Sequence, residues 1–316
     1  MTDINQAIEQ LNWKREPYGL YEPIEYTLST GGKRLRPQLA LLGSQLFGGK
    51  DEDVLPAAFA LEVFHNFTLL HDDVMDKAAV RRGRPTVHVR WDDNTAILSG
   101  DQMLIEAYKL LSDIKDDKLP KVLRLFNEMA TGICEGQQYD MEFEQREDVS
   151  IDEYINMIRL KTSVLLGYAL QIGAYIAGAS DKEQEDIYEA GVNLGIAFQI
   201  QDDLLDVYGN PDTFGKATGG DILCGKKTYM LLSAMNKADN ETRKTLKELI
   251  TNNTIGAEEK IKRIKDIYGL LNIREEAEKA INSYTRKAKD TLSRLSQNEA
   301  ATALLNLADR LATRQI

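Results

Sequence analysis

Apolar residues recur at helical spacing along most of the chain, and no stretch alternates apolar with polar residues for long enough to make a strand. The first thirty residues predict one or two short helices, with Pro17 and Pro23 as breaks. A glycine turn at Gly31-Gly32 feeds an apolar helix over 38–47, and Gly48 to Asp53 reads as a loop. Val54 to Met75 forms one long apolar run. Helical periodicity returns over 92–111 and 118–144, broken near Asp116-Asp117 and Pro120. Residues 151–179 and 181–208 read as two further long helices, followed by a glycine-rich loop to Lys227. From Tyr229 onward the pattern gives a helix start and then four or five amphipathic helices rich in Lys, Glu and Asn. The expected architecture is therefore all-α: one domain over 1–316, with about a dozen helices.

One segment needs separate treatment. Thr162 to Ser180 carries no charge and just reaches the length of a bilayer span. It also holds Ser163, Gly167, Gln171, Gly173 and Gly178, with no flanking aromatic or basic belt. It reads as a helix buried all round in a bundle, so no membrane span is expected.

Composition narrows the class without changing it. A 316-residue chain with 43% hydrophobic and 28% charged residues can bury a sizeable core. Its net charge of −11 argues against nucleic acid and anionic membranes as partners. Any phosphate-bearing substrate would need a local cluster of cations. Cys134 and Cys224 stand far apart with no partner motif, as expected of reduced thiols in a cytoplasmic protein. The first residues, Met1-Thr2-Asp3-Ile4-Asn5, lack the basic and apolar regions of a secretory signal.

Candidate chemistry lies at the ends of two apolar helices. Leu69-Leu70-His71-Asp72-Asp73-Val74-Met75-Asp76 closes one, and Gln199-Ile200-Gln201-Asp202-Asp203-Leu204-Leu205-Asp206 closes the other. Asp72 and Asp76, like Asp202 and Asp206, are four apart and share a helix face, with Cβ atoms ~6 Å from each other. A single such block is usually a solvated helix end. Two copies embedded in apolar sequence suit magnesium, a hard ion held by one or two carboxylates together with substrate phosphates. Cations that could surround a diphosphate are Lys33, Arg36, Arg81, Arg82, Lys161, Lys216 and Lys226. Phe59, Leu61, Val63, Phe64 and Phe67 precede the first block and would accept a hydrocarbon tail. No Ser–His–acid or Cys–His arrangement and no phosphate-binding Gly-x-x-x-x-Gly-Lys-Ser/Thr loop competes. Taken alone, Lys161 reads as a surface lysine at the edge of the uncharged run. His65 reads as a half-buried polar residue, although its offset of seven from Asp72 puts it on nearly the same helix face.

The order and spacing of these pieces resemble the trans-isoprenyl diphosphate synthases of the polyprenyl synthetase family. The likeness rests on Gly31-Gly32-Lys33-Arg34-Leu35-Arg36-Pro37, His65, both acidic blocks, Arg81-Arg82-Gly83 and Gly136-Gln137-Gln138-Tyr139-Asp140, then on Lys161-Thr162, Gly215-Lys216 and Gly225-Lys226-Lys227-Thr228. It implies a homodimeric bundle with a deep central cavity and about three Mg2+ per site, two on Asp72 and Asp76 and one on Asp202, with Asp206 in support. It implies that Arg81, Lys161 and Lys216 hold the allylic diphosphate (dimethylallyl, geranyl or farnesyl), and that Lys33, Arg36, His65 and Arg82 hold isopentenyl diphosphate. Lys226 joins the diphosphate-binding set, and Thr162 and Gln199 would stabilise an allylic cation. Asp73 and Asp203 would support from behind. Tyr229-Met230 replaces the Leu-Pro of many relatives, and Arg314-Gln315-Ile316 is only weakly basic, which leaves a role for the C-terminus in closing the site in doubt. Terpene cyclases of the same fold usually lack a second aspartate block and the Gly-Gly-Lys-x-x-Arg segment, and non-catalytic partner subunits lose acidic residues. This chain keeps all of these.

Product length is expected to depend on the helix that ends in the first block. Ala60, Phe64, Thr68, Asp72 and Asp76 form one stripe, on which Thr68 is small and Phe64 is the first bulky side chain, with Phe67 flanking. Phe64 lies ~12 Å below Asp72, and an isoprene unit spans roughly 5 Å. Three units fit, or four if the tail bends past, giving C15 to C20 products.

Overall fold

The computed structural model describes residues 8, 11–209, 218–252 and 254–313. The described residues are helical apart from short connections and one two-residue hairpin. They divide into two compact units, Met1–Asn127 with Tyr168–Glu185, and Glu128–Gly167 with Asp186–Ile316.

In the first unit, α1 (Tyr18–Ser29) runs straight through Pro23. The expected break is absent. Proline there forfeits one hydrogen bond, but Pro23, Ile24, Tyr26 and Leu28 are all buried, and packing outweighs that loss. Next, α2 (Leu35–Leu46) and α3 (Asp51–Met75) pack against each other. The first turn of α3 holds Asp51, Glu52 and Asp53, where the helix dipole favours negative charge. By length and composition α3 could cross a bilayer, but most of its apolar stretch is buried within the protein. A tight hairpin follows, β1 (Val80–Arg81) antiparallel to β2 (Arg84–Pro85), with Arg81 opposite Arg84. Its central residues, Arg82 and Gly83, have φ of 52° and 73°, the positive values that a two-residue hairpin turn needs. The unit continues through α4 (Val87–Arg90) and α5 (Asp93–Leu111), whose N-cap Asp92 accepts the Thr95 amide at 2.8 Å. The main partner of α3 is α5.

Three helices run on from one unit into the other: α6 (Leu119–Gln145), α8 (Val164–Ile176) and α9 (Asp181–Tyr208). The second unit also holds α7 (Ile151–Ile158), started by a Ser150/Glu153 capping box. Between α7 and α8 the chain makes a π turn, Arg159–Ser163, so the long helix expected over 151–179 is interrupted. No proline or glycine inside the segment announces this. The cause lies in its neighbours: a Cβ on Gly136 would sit 2.2 Å from the Lys161 nitrogen, and one on Gly195 would sit 2.5 Å from Ser163 Cα. Two helices therefore approach the segment backbone to backbone, which only glycine permits.

The uncharged run at 162–180 becomes part of the π turn and the short helix α8, which is under bilayer length. After α9 come α10 (Gly220–Cys224), a short helix inside the predicted irregular loop, and α11 (Tyr229–Lys237). Then follow α12 (Asn240–Thr251), α13 (Ala257–Leu270), α14 (Ile273–Leu295) and α15 (Glu299–Ala312). Their buried faces join α7 and α9 in one apolar core that includes Ile200, Met230, Leu246 and Tyr268.

Candidate active site

The first acidic block ends α3. Asp72 is half-buried in the last turn, Asp73 is buried, and Asp76 is the exposed C-cap. No basic residue occupies that last turn. Carboxylates therefore crowd the negative end of a 25-residue helix, where the dipole disfavours them. The compensating charge comes from the hairpin: Arg81 Nε donates to both oxygens of Asp73, at 2.8 and 2.9 Å. Burial raises the Asp73 pKa, and the Arg81 guanidinium works against that rise.

Beside this block sits a cluster of arginines. Arg82 Nη1 donates to the Gly31 carbonyl, and its guanidinium lies 3.0 Å from where a Cβ on Gly32 would stand. Gly32 has φ 134°, so the turn requires glycine twice over, for conformation and for space. Arg34 adopts the left-handed conformation, is buried, and donates to Glu62 Oε1 at 2.6 Å and to the Leu28 carbonyl. Asn66 donates to the same Glu62 oxygen at 2.9 Å. This network ties the glycine turn to α3. His65 is buried among these charges: burial first, then Arg36, Arg82, Arg81 and Arg34, hold its imidazole well below its ordinary pKa. It is a neutral ring at neutral pH. Arg36, His65 and Arg82, predicted to act on one substrate, are thus within electrostatic reach of one another, and Lys33 lies exposed on the same turn.

Down the same helix, Phe64 is buried and Phe67 half-buried, with ring centroids 5.5 Å apart. Thr68 is half-buried and donates its hydroxyl to the His65 carbonyl at 2.8 Å.

The second block ends α9, again with no basic residue in the last turn. Asp202 and Asp206 are half-buried and Asp203 is buried. Asp203 accepts from the Tyr154 hydroxyl and from the Tyr229 amide at 3.0 Å. Burial pushes its pKa up to about 7, against the pull of the Tyr154 bond. Asp206 accepts the Asp221 amide at 3.1 Å, and its carboxyl is likewise raised, by burial and then by Asp221. Gln199 Nε2 reaches Asp203 at 3.4 Å, and the Thr162 hydroxyl reaches Gln199 Oε1 at 3.4 Å. Lys161, on the π turn, is no free surface lysine: its Nζ meets Asp140 at 2.5 Å. Lys226 is exposed, with its amide on the Asp221 carbonyl at 2.9 Å, and its charge acts on Asp203. Lys216 and Arg314 to Ile316 lie outside the described residues.

Sequence reasoning missed Arg34, Glu62, Asn66, Tyr154 and Asp221, and quoted Asp140 without a role. For Asp140 the signal was present in Gly136-Gln137-Gln138-Tyr139-Asp140, which places it one helical turn from Gly136, the residue that touches Lys161.

Among the described residues, no three His, Cys, Asp or Glu side chains converge on one point. That fits magnesium better than a metal caged by protein alone, because magnesium takes one or two carboxylates and fills its remaining positions with phosphate and water. Paired hard oxygen donors at the negative end of a helix are suitable ligands for it.

Residues 17–269 match the polyprenyl synthetase family model. The chain belongs to the polyprenyl synthetase family. A geranylgeranyl diphosphate synthase of Methanosarcina mazei is 42% identical over 236 residues, which is 74% of this chain and 73% of that protein. A geranylfarnesyl diphosphate synthase of Aeropyrum pernix is 38% identical over 290 residues, 89% of this chain and 90% of that protein. A solved geranylgeranyl pyrophosphate synthase superposes with a TM-score of 0.92 at 46% identity, covering 99% of this chain and 96% of that one. As a polyprenyl synthetase of the all-α isoprenoid synthase fold, this chain is a short-chain, chain-elongating prenyltransferase. The family works on isopentenyl and allylic diphosphates and depends on a divalent metal.

Proposed function

We propose that this chain, acting as one polyprenyl synthetase domain over 1–316, condenses isopentenyl diphosphate with short allylic diphosphates to C15–C20 products. The observation that carries the reading is shared by both acidic blocks. Each closes a long helix with no basic residue in its last turn, and each has a cation brought to it from another segment, Arg81 or Lys226. Such an end is built to take more positive charge than the helix itself supplies.

In this reading Asp72 and Asp76 hold two magnesium ions and Asp202 a third, with Asp206 in support. Bound magnesium would neutralise the allylic diphosphate and make it a good leaving group. Arg81, Lys161, Lys216 and Lys226 grip that diphosphate. Lys33, Arg36, Arg82 and neutral His65 hold isopentenyl diphosphate, His65 through a ring nitrogen that repels no neighbouring arginine. Once the allylic carbon–oxygen bond breaks, the Thr162 hydroxyl and the Gln199 amide oxygen present negative dipole ends to the cation. The double bond of isopentenyl diphosphate attacks it, and the departing diphosphate takes the proton that completes the new double bond. Asp73 and Asp203 stay off the metal. Asp73 is occupied by Arg81, and Asp203 by Tyr154 and Tyr229.

Phe64 and Phe67 would form the floor under the growing tail, with Thr68 leaving room above them. Relatives named for geranylgeranyl products favour the upper figure, C20. A homodimer agrees with an exposed apolar stripe on α5, made of Ile97, Leu98, Ile105 and Tyr108. Light scattering that gives a 35.6 kDa particle at micromolar concentration would refute it. A cytoplasmic location agrees with two free, exposed cysteines, Cys134 and Cys224.

The decisive experiment is product formation by Asp72→Ala and Asp202→Ala, each checked for native helicity by circular dichroism. Most turnover should be lost in both, as it should when the metal is chelated. Near-normal synthesis by either variant overturns the mechanism.

A further inference from the structure

Five aromatic rings run in an unbroken edge-to-face ladder through the first unit. His71 meets Phe67 at 4.8 Å, Phe67 meets Phe64 at 5.5 Å, Phe64 meets Phe126 at 5.2 Å, and Phe126 meets Tyr108 at 5.3 Å. Interplanar angles between 56° and 73° put edges against faces, the arrangement that aromatic quadrupoles favour. Both ends are pinned. His71 Nε2 lies 3.1 Å from the Ile97 carbonyl, and a Cβ on Gly100 would strike it at 2.2 Å, so the ring cannot move toward α5. At the other end the Tyr108 hydroxyl donates to Asn127 Oδ1 at 2.5 Å, next in sequence to Phe126. Phe126 itself is fully buried.

Phe64 and Phe67 carry the floor in the reading above. Neither stands alone, because a ring can block a growing chain only as firmly as it is held. The only other aromatic ring against Phe64 among the described contacts is Phe126, which comes from a different helix, α6, 62 residues further along the sequence. We propose that Phe126, with Tyr108 behind it, is a product-length determinant. It is the lower layer of the floor, keeping Phe64 across the path of the tail and stopping any tail that gets past Phe64. No carboxylate, arginine or lysine of the candidate active site belongs to this lower layer, so changing it should alter where elongation stops and leave diphosphate binding as it is.

This inference rests on the reading that the tail runs down α3, and the experiment separates the two. Phe64→Ala, Phe126→Ala and the double variant are assayed with isopentenyl diphosphate and a short allylic primer, measuring both product length and the two Michaelis constants. Phe126→Ala should lengthen the main product by at least one C5 unit with both constants within about twofold of the parent. The double variant should exceed Phe64→Ala alone. Phe126→Leu, which keeps most of the buried volume, serves if the alanine variant does not fold, and should shift the distribution in the same direction. Unchanged length on altering Phe126, in both backgrounds, while Phe64→Ala does lengthen the product, overturns the lower layer and leaves the floor on α3 standing. Unchanged length in every variant overturns both.

Discussion

The two acidic blocks have the same spacing and sit at the same end of a long helix, yet their middle aspartates are accommodated by opposite means. Asp73 is answered by a full charge, the Arg81 guanidinium, which is itself about a third exposed (34%). Asp203 is answered by dipoles alone in direct contact, the Tyr154 hydroxyl and the Tyr229 amide, inside an apolar core. Where the counter-charge is present and partly wet, the carboxylate keeps an ordinary anionic role. Where only dipoles are available and water is excluded, burial lifts the pKa to about 7. An identical sequence pattern therefore gives one helix end that is held electrostatically and one that is held by packing and geometry. The second should be the more stability-critical of the two.

Substitution can sharpen this contrast. Asp203→Ala strands a buried hydroxyl and a buried amide and should cost about 3 kcal/mol. Asp73→Ala leaves a guanidinium that can turn to water and should cost only about 1 kcal/mol. Equal losses in urea denaturation would erase the distinction. The next effect is one of pH. Folded Asp203 keeps its proton up to about pH 7, whereas an unfolded aspartate releases it near the model value of 3.8. Its contribution to stability is thus fully present below the unfolded value and is lost as pH rises through 7. Compared with Asp203→Asn, which has no such proton, the parent should lose on the order of 2–3 kcal/mol between pH 5 and pH 8. A parent-to-variant difference that stays flat over this range would show that the buried carboxyl ionises normally. The smallest effect should come from Tyr154→Phe, which removes one donor and leaves the Tyr229 amide. It should cost about 1.5 kcal/mol, and a loss as large as that of Asp203→Ala would mean that Tyr154 alone carries the arrangement.

Much of this was legible in the chain. Helix positions follow from apolar periodicity, and a four-residue spacing suffices to put Asp72 with Asp76 and Asp202 with Asp206. His65 could be placed by its helical offset, although its neutral state could not, because that depends on four arginines drawn from three segments. The misses share a cause. Pro23 signals a break, and tertiary packing overrides it. The π turn has no local marker because the glycines responsible, Gly136 and Gly195, lie on other helices. Tyr154 and Asp203 are 49 residues apart, and no spacing rule connects them. Local signals reveal which residues carry the chemistry, whereas their support comes from contacts distant in sequence.

A π turn contains one residue more than the α turn it replaces. Removing any single residue from 159–163 would let the helix close into regular α geometry, but it would rotate everything before the cut by about 100° against everything after it. Tyr154 and Lys161, seven positions apart, could not then both keep Asp203 and Asp140. For this stretch the length of the chain is therefore a stricter requirement than most of its side chains. Point changes at Arg159 or Leu160 alter one contact, whereas a one-residue deletion puts the two sides of the helix out of phase.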